Sequence, residues 1–117
     1  MNQANLTTSV RKLHSNIGII DIQGDVTGFA ENALMDAFSQ ASNGSTKAIL
    51  LNFSGLDYMN SSGIGLLVTL LIRTQRQKQK LMACGLSAHY EEIFKLTRLN
   101  EAISIYTDEA DALAALS

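Results

Sequence analysis

Short apolar runs of strand length alternate with helix-period segments along this chain, and that alternation leaves few folds open. The strand runs are Ile17-Gly18-Ile19-Ile20-Asp21-Ile22, Lys47 to Phe53, Leu81-Met82-Ala83-Cys84 and Ile103-Ser104-Ile105-Tyr106. Lys47-Ala48-Ile49-Leu50-Leu51-Asn52-Phe53 is apolar almost throughout, as suits a central strand covered on at least one face. Ahead of these, Leu6 to Leu13 mixes Val, Thr and Leu with polar residues and reads as a half-exposed strand. Ser15-Asn16 then turns the chain, so the first two strands form a hairpin, and Gly24 is expected to end the second. From Phe29 to Ala41, Ala33, Leu34, Ala37, Phe38 and Ala41 recur at helical spacing, and Asn43-Gly44 stops that helix. A second helix is expected over about Ser62 to Gln79. A third is capped by Ser87, with Glu91 and Glu92 in its early turns. A fourth is capped by Thr107, with Asp108, Glu109 and Asp111 at its positive end. The order β-β-α-β-α-β-α-β-α predicts an α/β fold: one domain over residues 1–117, with a mixed, mainly parallel sheet, an N-terminal hairpin and about four helices.

The totals agree with one domain. The chain has 117 residues, 46% of them hydrophobic, enough for a core without disulfides or metals. A formal net charge of −2 gives no global field to attract nucleic acid. Cys84 is the single cysteine, so no intrachain disulfide can form and a reducing cytoplasm is the expected setting. No basic-then-apolar leader opens the chain and no apolar run reaches membrane-spanning length, so membrane insertion is not expected.

The functional signal lies in Asp57-Tyr58-Met59-Asn60-Ser61-Ser62-Gly63-Ile64-Gly65, between a strand and the most apolar helix. The first backbone amides of a helix lack intrahelical partners and carry partial positive charge. A serine there can cap the helix, and a phosphate on it meets donors already in place. Spacing alone favours the plain cap. Gly63 and Gly65 leave backbone uncovered, either for an approaching surface or for close helix–strand packing. At about 100° per residue, Ile64, Leu67, Val68 and Leu71 form the stripe expected to face the sheet. Leu66 and Leu70 then project outward, either under neighbouring helices or open to a partner.

Enzyme motifs do not hold up. Gly63-Ile64-Gly65 starts a dinucleotide fingerprint, but Val68 takes the third glycine position. There is no Gly-Lys-Ser/Thr phosphate loop, and Met59 or Asn60 stands where a hydrolase elbow needs glycine. His14 and His89 have no metal-ligand partners in sequence, and His89 reads as a surface residue. Cys84, in an apolar strand, reads as a small hydrophobe with a raised pKa. Asp21, Asp25 and Asp57 lie near strand ends, where acids more often cap turns than cluster.

Leu56-Asp57-Tyr58-Met59-Asn60-Ser61-Ser62-Gly63-Ile64-Gly65 resembles the signature of STAS domains, the fold of bacterial anti-sigma-factor antagonists. Gly24-Asp25-Val26, the Lys47–Phe53 strand and the Leu81–Gly85 strand with its following helix fit the same pattern, which spans nearly the whole chain. The resemblance implies that Ser61 is phosphorylated by a partner kinase, itself the anti-sigma factor. Two positions depart from the pattern. Asn60 replaces the aspartate before the acceptor, and Thr27 replaces a second acid after Gly-acid-aliphatic.

The expectation is therefore a cytoplasmic partner-switching regulator with no catalysis and no cofactor of its own. It would dock on an anti-sigma factor or serine kinase through Asp25, Tyr58, Met59, Asn60, Ser61, Ser62, Gly63, Leu66 and Leu70. ATP and Mg²⁺ belong to that partner, and a cognate phosphatase resets the state. A homodimer stays open. Two other classes compete: a STAS scaffold or subunit of a signalling or lipid-transport assembly, and a small-molecule or nucleotide binder using the same helix start.

Overall fold

The structure is a computed structural model that describes residues 5–116. β1 (Leu6–Leu13) and β2 (Ile17–Val26) pair as an antiparallel hairpin, with Leu13 opposite Ile17. A 3-10 turn, Gly28–Ala30, leads into α1 (Glu31–Ala41). Then follow β3 (Ala48–Met59), α2 (Ser61–Arg76), β4 (Lys80–Cys84) and α3 (Ala88–Leu96). After a second 3-10 turn, Leu99–Glu101, come β5 (Ser104–Tyr106) and α4 (Glu109–Ala114). The sheet order is β1-β2-β3-β4-β5, with β2 to β5 mutually parallel. The predicted architecture is observed.

Each crossover moves one strand in the same direction, so the right-handed rule places α1, α2 and α3 on one face of the sheet. There Ile20, Ile22, Ile49, Leu51 and Phe53 meet Leu34, Phe38, Leu67, Leu70 and Phe94. Phe53 and Phe94 contact edge to face at 6.4 Å. α4 covers the other face, packing Ala112 against Ile19, Leu50, Met82 and Cys84. β3 is thus buried on both sides, which explains its apolar run.

Two strands run past their expected ends. β2 continues beyond Gly24 to Val26, and β3 beyond Phe53 to Met59, so most of the segment between the expected strand and helix is itself strand. Register shifts between Asp21 and Gln23 and between Gly24 and Asp25 break the period-two pattern there. Gly24, at φ +98°, adopts a backbone that other residues rarely take. α4 is capped by Asp108, whose carboxylate accepts from the Asp111 amide at 2.9 Å; Thr107 lies one residue earlier.

The larger difference concerns α2. Gly63, Leu66, Leu67, Leu70 and Thr74 are the buried face, with Leu66 8% and Leu70 1% exposed. Val68 and Ile72 point outward at 38% and 44%. The expectation that Leu66 and Leu70 form an outward docking pair is therefore corrected. The cause is Gly63: a Cβ there would fall on the Val26 carbonyl oxygen, so this side of the helix lies against the sheet. The chain has apolar residues on almost every side of α2, and the richest stripe is not the one facing inward. Ile64 and Leu71 remain partly buried at the margin of the core. Gly63→Ala should destabilise the domain by about 1–3 kcal/mol through overpacking, offset in part by alanine's better helix propensity. Chemical denaturation measures it.

Arg11 ties the back of the molecule together. Its guanidinium donates to both Asp21 oxygens at 2.7 Å and to Glu109 at 2.6 and 3.0 Å, joining the β1–β2 hairpin to the start of α4. Asn52 donates to Asp21 at 2.8 Å. The hydrogen bond from Arg11 holds the Asp21 carboxyl below the usual carboxylate range, against the opposing effect of burial. A depressed native pKa adds stability above the unfolded value of about 4 and loses it as pH falls through the native one. Parent stability should therefore fall more steeply below pH about 4 than that of Asp21→Asn. Paired denaturation curves across that range check the slope.

Candidate functional site

The site is built where β3 ends and α2 begins. Met59 is buried; its amide donates to the Tyr90 hydroxyl of α3 at 2.9 Å. The Asn60 amide donates to the Val26 carbonyl at 3.3 Å, anchoring the turn to β2. The Asn60 side chain, not Ser61, is the helix cap, accepting from the Gly63 amide at 2.9 Å. Ser61 is therefore the first residue of α2, and both Ser61 and Ser62 are exposed. Their own amides head the helix, where intrahelical acceptors do not exist.

The structure divides the nine expected partner-binding residues. Tyr58, Ser61 and Ser62 are exposed, and Asp25 and Asn60 are partly so. Met59, Gly63, Leu66 and Leu70 are buried and position the site from beneath. Their apolar or small character is the core's requirement, so they cannot present a contact surface in this state. Asp25 lies in register with Tyr58 and accepts from Asn5 at 3.2 Å. Asp21 is engaged by Arg11, so Asp21, Asp25 and Asp57 do not form one acidic cluster. Thr27 caps the 3-10 turn, accepting from the Phe29 amide at 3.3 Å.

Three surface residues escaped sequence reasoning, Phe29, Val68 and Ile72, while Gly65 is uncovered as expected. Ser61, Gly65, Val68 and Ile72 follow one another at steps of four, three and four, so they line one outward stripe of α2. A Cβ at Gly65 would meet nothing within 4 Å. Phe29, in the 3-10 turn, is 61% exposed, and its neighbour Gly28 approaches Ser62. Tyr58 lies just before the two serines in the chain, and Val68 and Ile72 carry an exposed apolar stripe away from them along α2. The missed signal was the i, i+4, i+7, i+11 spacing from Ser61.

Other candidates are inert by geometry. Cys84 is buried, and burial, helped by the carboxylates of Glu109, Asp108 and Asp21, pushes its thiol up to about 11. Thiol reagents at neutral pH should therefore label the native chain only at its unfolding rate; rapid labelling would contradict the burial. His89 is exposed and packs edge to face on Tyr90 at 4.8 Å. Among the described residues no group of three or more His, Cys, Asp or Glu is placed to hold a metal ion. Among the same residues no helix is long and apolar enough to cross a membrane.

A five-stranded mixed sheet with three helices on one face, and an exposed serine opening the helix after the central strand, defines a small α/β domain. The STAS domain model matches residues 9–112, and the chain belongs to the STAS family. An anti-sigma factor antagonist from Mycobacterium paratuberculosis superposes with a TM-score of 0.79 at 20% identity, over 94% of this chain and 92% of that one. The Bacillus cell fate determinant SpoIIAA, in its phosphorylated form, superposes at 0.73 and 20% identity, over 95% and 100%. A sulfate transporter family protein from Wolinella succinogenes gives 0.76 at 15% identity, over 88% and 86%. At these identities the superpositions speak for the fold.

Proposed function

We propose that this chain is the phosphorylatable component of a cytoplasmic partner switch. Unphosphorylated, it docks on an anti-sigma factor with serine kinase activity, through Ser61 and the outward stripe of α2 with Phe29 and Tyr58. The kinase transfers the γ-phosphoryl group of its ATP to the Ser61 hydroxyl; a phosphatase removes it. The chain performs no catalysis. The observation that carries this reading is an exposed Ser61 at the first position of α2, at the head of an outward helix stripe that carries the exposed Val68 and Ile72.

Phosphorylation would add about −1.5 to −2 charge at pH 7. At a helix N-terminus that charge is tolerated, so the fold should persist. Against an apolar docking face it must be desolvated, which is costly, so the complex should dissociate. Ser62 is also exposed, so exposure does not choose between the two hydroxyls. The resemblance to the family signature supports Ser61 as the acceptor. Labelling with the partner kinase and ATP, followed by site mapping, tests it. Modification of Ser62 alone, or undiminished labelling of Ser61→Ala, would refute the assignment.

Asn60→Asp should change labelling more than folding. The cap it makes can be made by either residue. A carboxylate there should add only about 0.3–1 kcal/mol of helix stability. Comparing melting and labelling rates of the two forms tests it; an unchanged labelling rate would make the substitution silent.

The transporter-family neighbour and the neutral Asn60 favour a second reading, a non-switching STAS subunit of a larger assembly. That chain would co-purify with the assembly and take no phosphate.

A further inference from the structure

The charges of this chain are segregated along the strand direction. Acids gather at the carboxyl ends of the parallel strands, where the helices begin: Glu31, Glu91, Glu109 and Asp111 stand in first turns, with Asp25 and Asp57 on the extended ends of β2 and β3. The opposite end is cationic. Lys47 precedes β3 and Lys80 opens β4, and the Lys80 amide donates to the Lys47 carbonyl at 2.8 Å. Lys12 lies opposite Gly18 near the start of β2, Arg76 closes α2, and Lys78 lies in the turn that follows. All five are exposed, and none has a carboxylate within 4.0 Å among the described residues. Beside Lys12, which precedes Leu13, and Lys47, whose amide donates to the Asn16 carbonyl at 2.7 Å, is a groove of about 550 Å³ between the hairpin turn and α4, with Leu13, Ile17, Leu113 and Leu116 among its walls.

We infer that this end docks on an anionic lipid surface, peripherally and without insertion of a helix. The cations are four lysines and one arginine on one end of the molecule, and the mainly aliphatic groove can take up shallow hydrophobic contact. Lysine stems can lie along such a boundary with their ammonium groups among headgroups. Single-stranded nucleic acid would use a basic groove with aromatic side chains for stacking; none of the five cations lines the groove here, and its walls are mainly aliphatic, with His14 and Asn16 the polar members. Glu109 and Asp111 flank Ala110 in the groove wall, and Glu109 is already paired with Arg11 at 2.6 Å; Asp25 and Asp57 lie a strand's length away and do not cancel the attraction. β3 alone has 12 residues, at about 3.3 Å each, and the Debye length at physiological salt is about 8 Å. Docked this way, the chain would hold Ser61 away from the bilayer, free to meet a partner. The inference stands apart from the proposed switch, and either can fail alone.

Co-sedimentation with vesicles tests it. One set is phosphatidylcholine alone; the other contains about a third phosphatidylglycerol, each at low and high salt. The expected result is binding to the anionic vesicles at low salt, loss at high salt, and none to phosphatidylcholine. Each cation near an anionic surface contributes about fivefold to partitioning. Lys47→Glu/Lys78→Glu/Lys80→Glu should therefore bind at least about tenfold more weakly while melting like the parent. Absence of binding to anionic vesicles, binding equal on neutral ones, or a triple variant that binds like the parent overturns the inference. Tighter binding to duplex DNA than to anionic vesicles overturns it too, assigning the surface to nucleic acid.

Discussion

Leu66→Ala combined with Leu70→Ala should remove most of the stability of this domain. Leu70 is fully enclosed between α2 and the sheet, and Leu66 is nearly so. Each truncation of a buried leucine costs about 2–5 kcal/mol, the larger values where the cavity cannot collapse. Total stabilities of small domains are about 5–15 kcal/mol, so the pair approaches the whole margin. The two sites sit one helical turn apart, so their effects should not add strictly. Urea denaturation should show a large fall in midpoint for each single variant and a largely unfolded double variant. A double variant that melts near the parent would place both leucines on the surface, contrary to the observed packing.

Val68→Asp with Ile72→Asp should do the reverse. Both side chains are outward on α2 and carry little of the core. Surface changes of this kind usually alter stability by less than about 0.5 kcal/mol. In a docked complex, however, two carboxylates would replace apolar contacts, with no partner charge to meet them. Losing one interface anchor costs about 2 kcal/mol or more, and buried unpaired charge adds to that. Affinity for the anti-sigma partner should fall by at least about 100-fold at nearly unchanged melting temperature. Unchanged affinity would remove the α2 stripe from the docking face and leave only the Ser61 turn.

What the sequence made legible follows from period. β3 alternates between two covered faces, so its apolar run marked a central strand without ambiguity. Leu34, Ala37, Phe38 and Ala41 lie buried at the helical spacing that predicted them. α2 was harder because Ile64, Leu66, Leu67, Val68, Leu70, Leu71 and Ile72 leave no clear polar face. Its rotation is decided by a tertiary contact, Gly63 against Val26, which no periodicity reports. The extension of β3 to Met59 was hidden by bulges, and with it the burial of Met59 under Tyr90. The cap moved by one residue because asparagine and serine both suit that position, and only the Asn60–Gly63 hydrogen bond separates them. The Arg11 network joins residues 98 positions apart in the chain, a separation that local reading does not cross.

The central claim is that a phosphate on Ser61 dissolves a complex without unfolding the chain. The most direct measurement is titration calorimetry of the anti-sigma partner into two preparations: the unphosphorylated chain, and the chain phosphorylated and mapped at Ser61. The account predicts at least about 100-fold weaker binding of the phosphorylated form, with the two preparations melting alike. Equal affinity of the two forms would contradict it.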